Sequence, residues 1–279
     1  MRFIGSLGKV DDAKIVMFGA PYDCTASFRK GARFAPEAVS GDSDSIETYS
    51  PYLNLDLEND AKFYDDGVLE LPFKNSELAL KIIENKTAEV IKGGKIPMII
   101  GGEHLVSLGA VRAVAAKYND LHVVHLDAHA DLRDDYLGEK LSHATVMRRI
   151  WEIVGDGKIY QTGIRSGEKS EFEFAKSHTN LHKFNLQATD EICENFTGKP
   201  VYLTVDLDVL DPSHLPGTGT PEAGGVSFEE LRISLMKILK LNIVGLDLVE
   251  LAPNLDPTGA STSLVIKLIR EIILQLEAK

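Results

Sequence analysis

The chain has little cysteine and no long apolar run. Its two cysteines, Cys24 and Cys193, lie far apart and form no CxxC pair, which argues against a disulfide framework and against a structural zinc site. No apolar run reaches the length of a membrane span. The first residues, MRFIGSLGKVDDAK, contain no apolar signal region. These absences predict a soluble, cytoplasmic protein that does not insert into a membrane.

Positive charge is also scarce. The 30 lysines and arginines are outnumbered by 42 acids, so the formal net charge is −12. Nucleic-acid binding usually requires a basic face, and we therefore expect no nucleic-acid partner. An acidic chain is compatible with a small cationic substrate, although many proteins carry this much negative charge.

The remaining composition is that of a globular protein. Hydrophobic residues make up 44% and charged residues 26% of the 279 residues, which is enough to form a substantial core. We see no low-complexity linker, internal repeat or break in composition. The sequence therefore predicts a single domain over residues 1–279.

Short apolar runs alternate with helical patterns along the chain. Strands are predicted over residues 13–21, 61–67, 95–102, 121–127, 158–165, 200–208 and 242–250. Helices are predicted over residues 75–94, 227–240 and 262–278. Several strands lack polar alternation, as expected when helices cover both faces of a sheet. This order predicts an α/β protein with three layers, α/β/α, around a mainly parallel sheet. The segment 29–56 is expected to combine helix and irregular loop.

Polar clusters come directly after three of these strands. They are GGEH at 101–104, DAHAD at 127–131 and DLD at 206–208. Ligands of parallel α/β sheets bind at the carboxyl ends of the strands. We therefore expect the three clusters to meet at one edge of the sheet.

Spacing selects six side chains within these clusters. Residues two apart in extended backbone face the same side, which aligns the carboxylates and imidazole of DAHAD and the two carboxylates of DLD. The resulting candidate metal ligands are His104, Asp127, His129, Asp131, Asp206 and Asp208. Four carboxylates would balance two divalent cations, and an oxygen-rich set with few histidines suits Mn²⁺. A cluster without metal would have to protonate some of its acids.

Each cluster alone has an ordinary alternative explanation. A single DxHxD after a strand is often a hydrogen-bonded turn exposed to solvent, and Asp-x-Asp before DP is common in loops. His104 alone could cap a helix. His125 shares its parity with Asp127 but lies inside the strand, where a packed or supporting histidine is expected rather than a ligand.

The order and spacing of four motifs resemble the ureohydrolase (arginase/agmatinase) family. They are GGEH, DAHADLRDDYLGEKLSHATVMRR, TVDLDVLDPSHLPGTGTPEAGG and GLDLVELAP. The stretch TASFRKGARFAPEAV, followed by ETYSPY, is similar to the agmatinase branch. The resemblance covers nearly the whole chain and implies an arginase-like fold.

The resemblance also implies roles for particular residues. The six selected side chains would hold two Mn²⁺ ions per subunit. His143, in SHAT, would be a catalytic histidine that moves a proton, and Glu250, in LVELAP, would bind the guanidinium of the substrate. The family forms trimers or hexamers, so a homo-oligomer is implied.

Two positions depart from the family pattern. Glu103 stands where the family usually has aspartate, and Ala144 stands where it often has glycine. Neither change removes a predicted ligand. Both leave the preference among guanidino substrates open.

The resemblance implies hydrolysis of agmatine to putrescine and urea. A hydroxide that bridges the two metal ions would attack the guanidinium carbon. Three acids in the loop 132–142, Asp134, Asp135 and Glu139, favour a cationic tail on the substrate. The alternatives are a related guanidino hydrolase, of the arginase, guanidinobutyrase or formiminoglutamase type, or a metal-binding regulatory protein without activity. The glycine-rich stretches match neither GxGxxG nor a P-loop, which argues against nucleotide binding.

Overall fold

The computed structural model describes residues 2–278, so both end residues of the predicted domain, 1 and 279, lie outside the described range. Its strands are β1 (Ile15–Ala20), β2 (Tyr49–Ser50), β3 (Leu55–Asp56), β4 (Phe63–Val68), β5 (Ile96–Gly101), β6 (His122–Leu126), β7 (Ile159–Ile164), β8 (Asn180–Lys183), β9 (Pro200–Asp206) and β10 (Asn242–Val249). Its α-helices are α1 (Ala35–Gly41), α2 (Leu57–Asp60), α3 (Ser76–Lys92), α4 (Val106–Lys117), α5 (Val146–Val154), α6 (Lys169–His178), α7 (Thr189–Phe196), α8 (Phe228–Ile238) and α9 (Ala260–Glu277).

Eight of the strands form one parallel sheet in the order β4-β1-β5-β10-β9-β6-β7-β8. Strands β5, β10, β9 and β6 are neighbours at its centre. All of them point the same way, so their carboxyl ends lie side by side. This arrangement brings together residues that are up to about 150 positions apart in the sequence.

Helices cover both faces of the sheet. Helices α1, α7, α8 and α9 supply one buried cluster, and α3, α4, α5 and α6 supply the other. Within β5, Met98 and Ile100 belong to the first cluster while Ile99 belongs to the second, because successive strand residues face opposite sides. The predicted three-layer α/β/α architecture is confirmed.

The seven predicted strands are all confirmed, as β1, β4, β5, β6, β7, β9 and β10. The edge strand β8 was not predicted. Its sequence, NLHK, is polar and half-exposed, so it carries neither the apolar run of a central strand nor a clear alternation. The short antiparallel pair β2–β3 lies in the segment 29–56, which otherwise contains the expected mixture of helix and loop.

The three predicted helices are confirmed as α3, α8 and α9. Asn75 caps α3 by accepting a hydrogen bond from the N–H of Leu78, and Ser227 and Glu230 form a capping box at the start of α8, as their spacing predicts. Within residues 2–278, no helix is both long and apolar enough to cross a membrane.

Candidate functional site

The ends of four central strands deliver the candidate residues to one edge of the sheet. His104 follows β5, the DAHAD segment (127–131) follows β6, Asp206 ends β9, and Glu250 follows β10. Asp208 lies in the 3-10 turn Leu207–Val209 directly after β9. The six predicted ligands are therefore brought together, as two groups.

The first group surrounds His104, which is buried. Its Nδ1 atom lies 3.1 Å from Asp127 Oδ2. Carboxylate oxygens of Asp131 and Asp206 each lie 3.2 Å from the same nitrogen. One imidazole nitrogen thus faces three carboxylates from two different strand ends.

Hydrogen bonds determine which nitrogen of His104 carries the proton. The hydroxyl of Thr204 donates its proton to Asp247 Oδ1 at 2.6 Å. Thr204 Oγ1 can therefore only accept from His104 Nε2, which lies 2.9 Å away. The Nδ1 atom is then left with its lone pair, and it is a buried atom without a hydrogen-bond partner. A bare nitrogen facing three carboxylate oxygens fits a cation, and a metal-bound histidine is commonly oriented in this way through its other nitrogen.

The second group surrounds His129. Its Nδ1 atom lies 2.9 Å from Asp208 Oδ2 and 3.6 Å from Asp127 Oδ1. Asp127 therefore presents one oxygen to each histidine and joins the two groups. Its ligand atoms lie close enough to those of His129 and Asp208 to share one metal ion.

His125 supports Asp127 rather than facing a cation, as the sequence analysis expected. Its Nε2 atom lies 2.7 Å from Asp127 Oδ2. Gln161 donates through Nε2 to the carbonyl of Ala130 and lies 3.0 Å from His125 Nδ1, while its own carbonyl accepts from Thr179. Both ring nitrogens of His125 are thus engaged by hydrogen bonds.

Negative charge is concentrated in this buried cluster. Burial raises the pKa of Asp206 well above its usual value, and the charges of Asp208 and Asp127 raise it further. For His104, burial favours the neutral ring, but the neighbouring carboxylates of Asp127 and Asp131 raise its pKa well above the usual value. The cluster therefore requires positive charge, which divalent cations or protons can supply.

The parity argument is wrong beyond the ends of β6 and β9. Strand β6 ends at Leu126, and Asp131 has a left-handed backbone with φ of 51°. After β9 the chain turns, so Asp206 faces His104 whereas Asp208 faces His129. Turns rather than extended backbone position these side chains, which is why alternate residues serve different groups.

Glu250 and His143 lie beside the first group. Glu250 Oε1 accepts the backbone N–H of His104 at 2.9 Å and lies 3.5 Å from His143 Nδ1. Glu250 has a φ of 67°, a conformation that is costly for residues other than glycine and that recurs at functional sites.

Two influences act on the charge of His143. Burial lowers its pKa, but the hydrogen bond and charge of Glu250 outweigh burial and raise it to about 9. In the opposite sense, the N–H of Ser27 donates to His143 Nε2 at 3.1 Å, which favours the neutral ring. His143 is therefore held between an acceptor on one nitrogen and a donor on the other.

A cavity of about 290 Å³ opens onto this edge. His129, Asp131, Asp206 and His143 lie on its wall. The remaining lining comes from the residues Ser27, Ala130, Arg133, Tyr136, Ala144, Ser166, Gly167, Glu168, Glu171 and Thr220. The cavity thus reaches both groups of candidate ligands.

The acids of the loop 132–142 are not part of the cavity wall, contrary to the sequence-based expectation. Asp134 pairs with Arg149, and Asp135 accepts the N–H of Gly138. The loop instead contributes Arg133 and Tyr136. Local charge counting failed because it does not show which side chains turn inward.

Glu168 and Glu171 are the acids near the cavity that sequence reasoning missed. Arg133 lies 2.9 Å from Glu168 and 3.5 Å from Glu171. Glu171 is buried and accepts the N–H groups of Leu132 and Glu168. Both follow β7 in the stretch RSGEKSE, a polar cluster at a strand end that the same rule could have identified. Ser27, in the loop after β1, offered no such signal.

The sheet, the flanking helices and the buried cluster define an α/β protein with a candidate metal site at the carboxyl ends of its central strands. The arginase family model matches residues 13–275, and the chain belongs to the arginase family. Members of this family depend on two metal ions, and the buried histidine and aspartate cluster is compatible with such a site.

Individual relatives are similar over nearly the whole chain. An agmatinase from Bacillus anthracis is 44% identical over 276 residues, covering 98% of this chain and 95% of its own. A crystal structure of a Clostridium difficile protein, described there as a proposed agmatinase, superposes with a TM-score of 0.93 at 47% identity, covering 97% of this chain and 99% of that one. The agmatine ureohydrolase of Thermoplasma volcanium gives a TM-score of 0.90 at 33% identity, covering 99% and 94%.

Proposed function

We propose that the chain hydrolyses agmatine to putrescine and urea as a manganese-dependent amidinohydrolase. The observation that carries this proposal is the pair of histidines, His104 and His129, which Asp127 joins beside a cavity that also contacts His143. Agmatinases are among the relatives at 44% identity, which supports the choice of substrate.

Two divalent cations would be held by the two groups of ligands. His104, Asp131 and Asp206 would bind one ion, and His129 and Asp208 would bind the other. Asp127 would bind both through its separate oxygens. We propose Mn²⁺ because four carboxylates and two imidazoles form an oxygen-rich set. When bound, such a pair supplies a Lewis acid and lowers the pKa of a water held between its members.

Glu250 would hold the guanidinium of the substrate. A carboxylate accepts two parallel hydrogen bonds from a planar guanidinium. The N–H of His104 anchors Glu250 Oε1, so the carboxylate has a fixed position relative to the first group of ligands. This contact would place the guanidinium carbon next to the cluster.

His143 would carry a proton to the leaving amine. It lies on the cavity wall and 3.5 Å from Glu250, next to the position assigned to the guanidinium. Histidine is the side chain that most often transfers a proton in such a step.

Glu168 would bind the ammonium at the far end of agmatine. It shares the cavity with His143, and its present partner is Arg133. An incoming ammonium would compete with that guanidinium for the carboxylate. Arg133 also lies 5.2 Å from the ring centre of Tyr136, which offers it a second favourable contact.

A second candidate substrate is 4-guanidinobutyrate. Arg133 at the cavity could bind its carboxylate, as arginine commonly does. Substitution of Arg133 by methionine separates the two cases. This change should abolish use of 4-guanidinobutyrate if Arg133 binds the tail, and should spare agmatine if Glu168 does.

Urea release from agmatine, arginine and 4-guanidinobutyrate, with and without Mn²⁺, tests the proposed function. We expect the highest kcat/KM for agmatine and no release after metal removal. A preference for arginine or 4-guanidinobutyrate would overturn the choice of substrate. Absence of urea from every compound in a fully metal-loaded preparation would favour a regulatory protein without activity.

We further propose that the protein is a cytoplasmic homo-oligomer, a trimer or hexamer. Cys24 and Cys193 are both free thiols, which supports a reducing compartment. The family resemblance supports the assembly.

A further inference from the structure

Glu103 is a buried acid that the proposed reaction does not use. Its side chain is fully shielded from solvent, a costly position for a carboxyl group unless hydrogen bonds compensate. The partner is Thr25, whose backbone N–H lies 3.0 and 3.1 Å from the two carboxyl oxygens and whose hydroxyl donates at 2.7 Å. Glu103 therefore holds the start of the loop that follows β1, residues 21–31, named here the β1 loop.

Thr25 connects Glu103 to His143. The hydroxyl proton of Thr25 goes to Glu103, so its oxygen is free to accept, and it accepts the backbone N–H of His143 at 3.0 Å. Two residues later, the N–H of Ser27 donates to His143 Nε2 at 3.1 Å. The β1 loop thus contacts both the backbone and the ring of this histidine.

The backbone beneath Glu103 is fixed by close packing. The N–H of Glu103 donates to the carbonyl of Tyr22 at 2.7 Å. A Cβ atom at Gly102 would lie 1.9 Å from that carbonyl oxygen, so only glycine allows the two chains to approach this closely. The distance between the backbone of Glu103 and Thr25, which the Glu103 side chain spans, is therefore fixed.

The other end of the β1 loop is also held. Arg29 Nη2 donates to the carbonyl of Thr218 at 2.8 Å, and Asp23 accepts the N–H of Gly31 at 2.9 Å. With both ends held, a change at Thr25 is transmitted to Ser27 and so to the ring of His143.

We propose that Glu103 is a positioning residue for His143, acting through Thr25 and Ser27. Its length matters, because aspartate at this position would be one methylene too short to keep both contacts with Thr25. The role rests on the proposed hydrolysis, in which His143 carries a proton.

The matched pair Thr25→Val and Thr25→Ser tests the proposal. Valine keeps the shape of threonine and removes the hydroxyl, whereas serine keeps the hydroxyl. With agmatine as substrate, Thr25→Val should lower kcat by about tenfold, the effect of losing one buried hydrogen bond, with little change in KM and in metal content. Thr25→Ser should retain most turnover, and Glu103→Asp should resemble Thr25→Val.

Histidine ¹⁵N spectra provide a readout that does not depend on activity. Signals of His143, assigned with His143→Ala, should shift in Thr25→Val and in Glu103→Asp and stay in place in Thr25→Ser. Unchanged His143 signals in Thr25→Val and in Glu103→Asp would overturn the proposal. A loss of turnover in Thr25→Ser as large as that in Thr25→Val would also overturn it. If the wild-type protein released no urea from agmatine, the proposed function would fail. The spectra would still show whether Glu103 positions His143 through Thr25.

Discussion

At the scale of single residues, Asp127 connects the two halves of the site. One of its oxygens faces His104 and the other faces His129, while His125 holds it from behind at 2.7 Å. The remaining acids serve one histidine each, since Asp131 and Asp206 face His104 and Asp208 faces His129. Loss of Asp127 should therefore differ from loss of any other acid in the cluster.

Asp127→Asn should release both metal ions, whereas Asp208→Asn should release mainly the ion beside His129. Removing a direct ligand should cost at least the 10–100-fold in affinity typical of supporting residues. Elemental analysis after dialysis measures the stoichiometry. Asp44, which is exposed, provides the control Asp44→Asn with wild-type metal content. Retention of one full ion by Asp127→Asn would show that Asp127 does not join two ions.

Residue types and spacing were enough to select the six members of the cluster, because each lies within five residues of the end of an apolar run. The sequence could not show how they divide into two groups. That division depends on the left-handed backbone at Asp131 and on the turn after β9, and neither conformation has a local sequence signal.

At the scale of elements, the loop before α9 shows how a carboxylate stabilises a helix start. Asp256 is buried and accepts hydrogen bonds from the N–H and hydroxyl of both Thr258 and Ser261. The bonds from Thr258, followed by those from Ser261, lower the pKa of Asp256 to about 2. These contacts hold the turn from which the buried helix α9 begins.

Asp256→Asn should destabilise the protein at neutral pH by about 2 kcal/mol. The folded pKa lies below the unfolded one, so the contribution is fully present above about pH 4 and is lost as the pH falls towards 2. The effect of the substitution should therefore shrink between pH 5 and pH 3. Denaturant unfolding of metal-free protein, with Asp44→Asn as reference, measures it. An equal loss of stability at both pH values would contradict the assigned role of the charge.

Elements with a strong pattern were predictable and weakly patterned ones were not. The run HVVHL of β6 is buried throughout, as expected for a strand covered on both faces. Helix α4 is buried on most of its surface, so its sequence lacks the amphipathic spacing by which α3 was identified. The edge strand β8 is too polar to resemble a central strand.

At the scale of the whole molecule, sheet order brings the site together. Strands β5, β10, β9 and β6 are adjacent, although β5 and β10 are separated by four other strands in the sequence. Sequence reasoning predicted convergence at one edge but not which neighbouring loops would line the cavity. Glu168, Glu171 and Ser27 reach it from the ends of β7 and β1 through tertiary packing.

Within residues 2–278, one sheet takes strands from both halves of the chain, and the single domain over residues 1–279 stays a prediction. The same sheet carries the ligands at or just after its strand ends, while loops form much of the cavity wall. In such an arrangement, sequence changes in the loops can alter substrate preference without disturbing the metal site.

Anomalous diffraction at the manganese edge, from crystals grown with Mn²⁺, tests the central claim most directly. We predict two peaks per chain, one beside Nδ1 of His104 and one beside Nδ1 of His129, both within bonding distance of Asp127. A single peak, no peak, or manganese bound elsewhere would contradict the account.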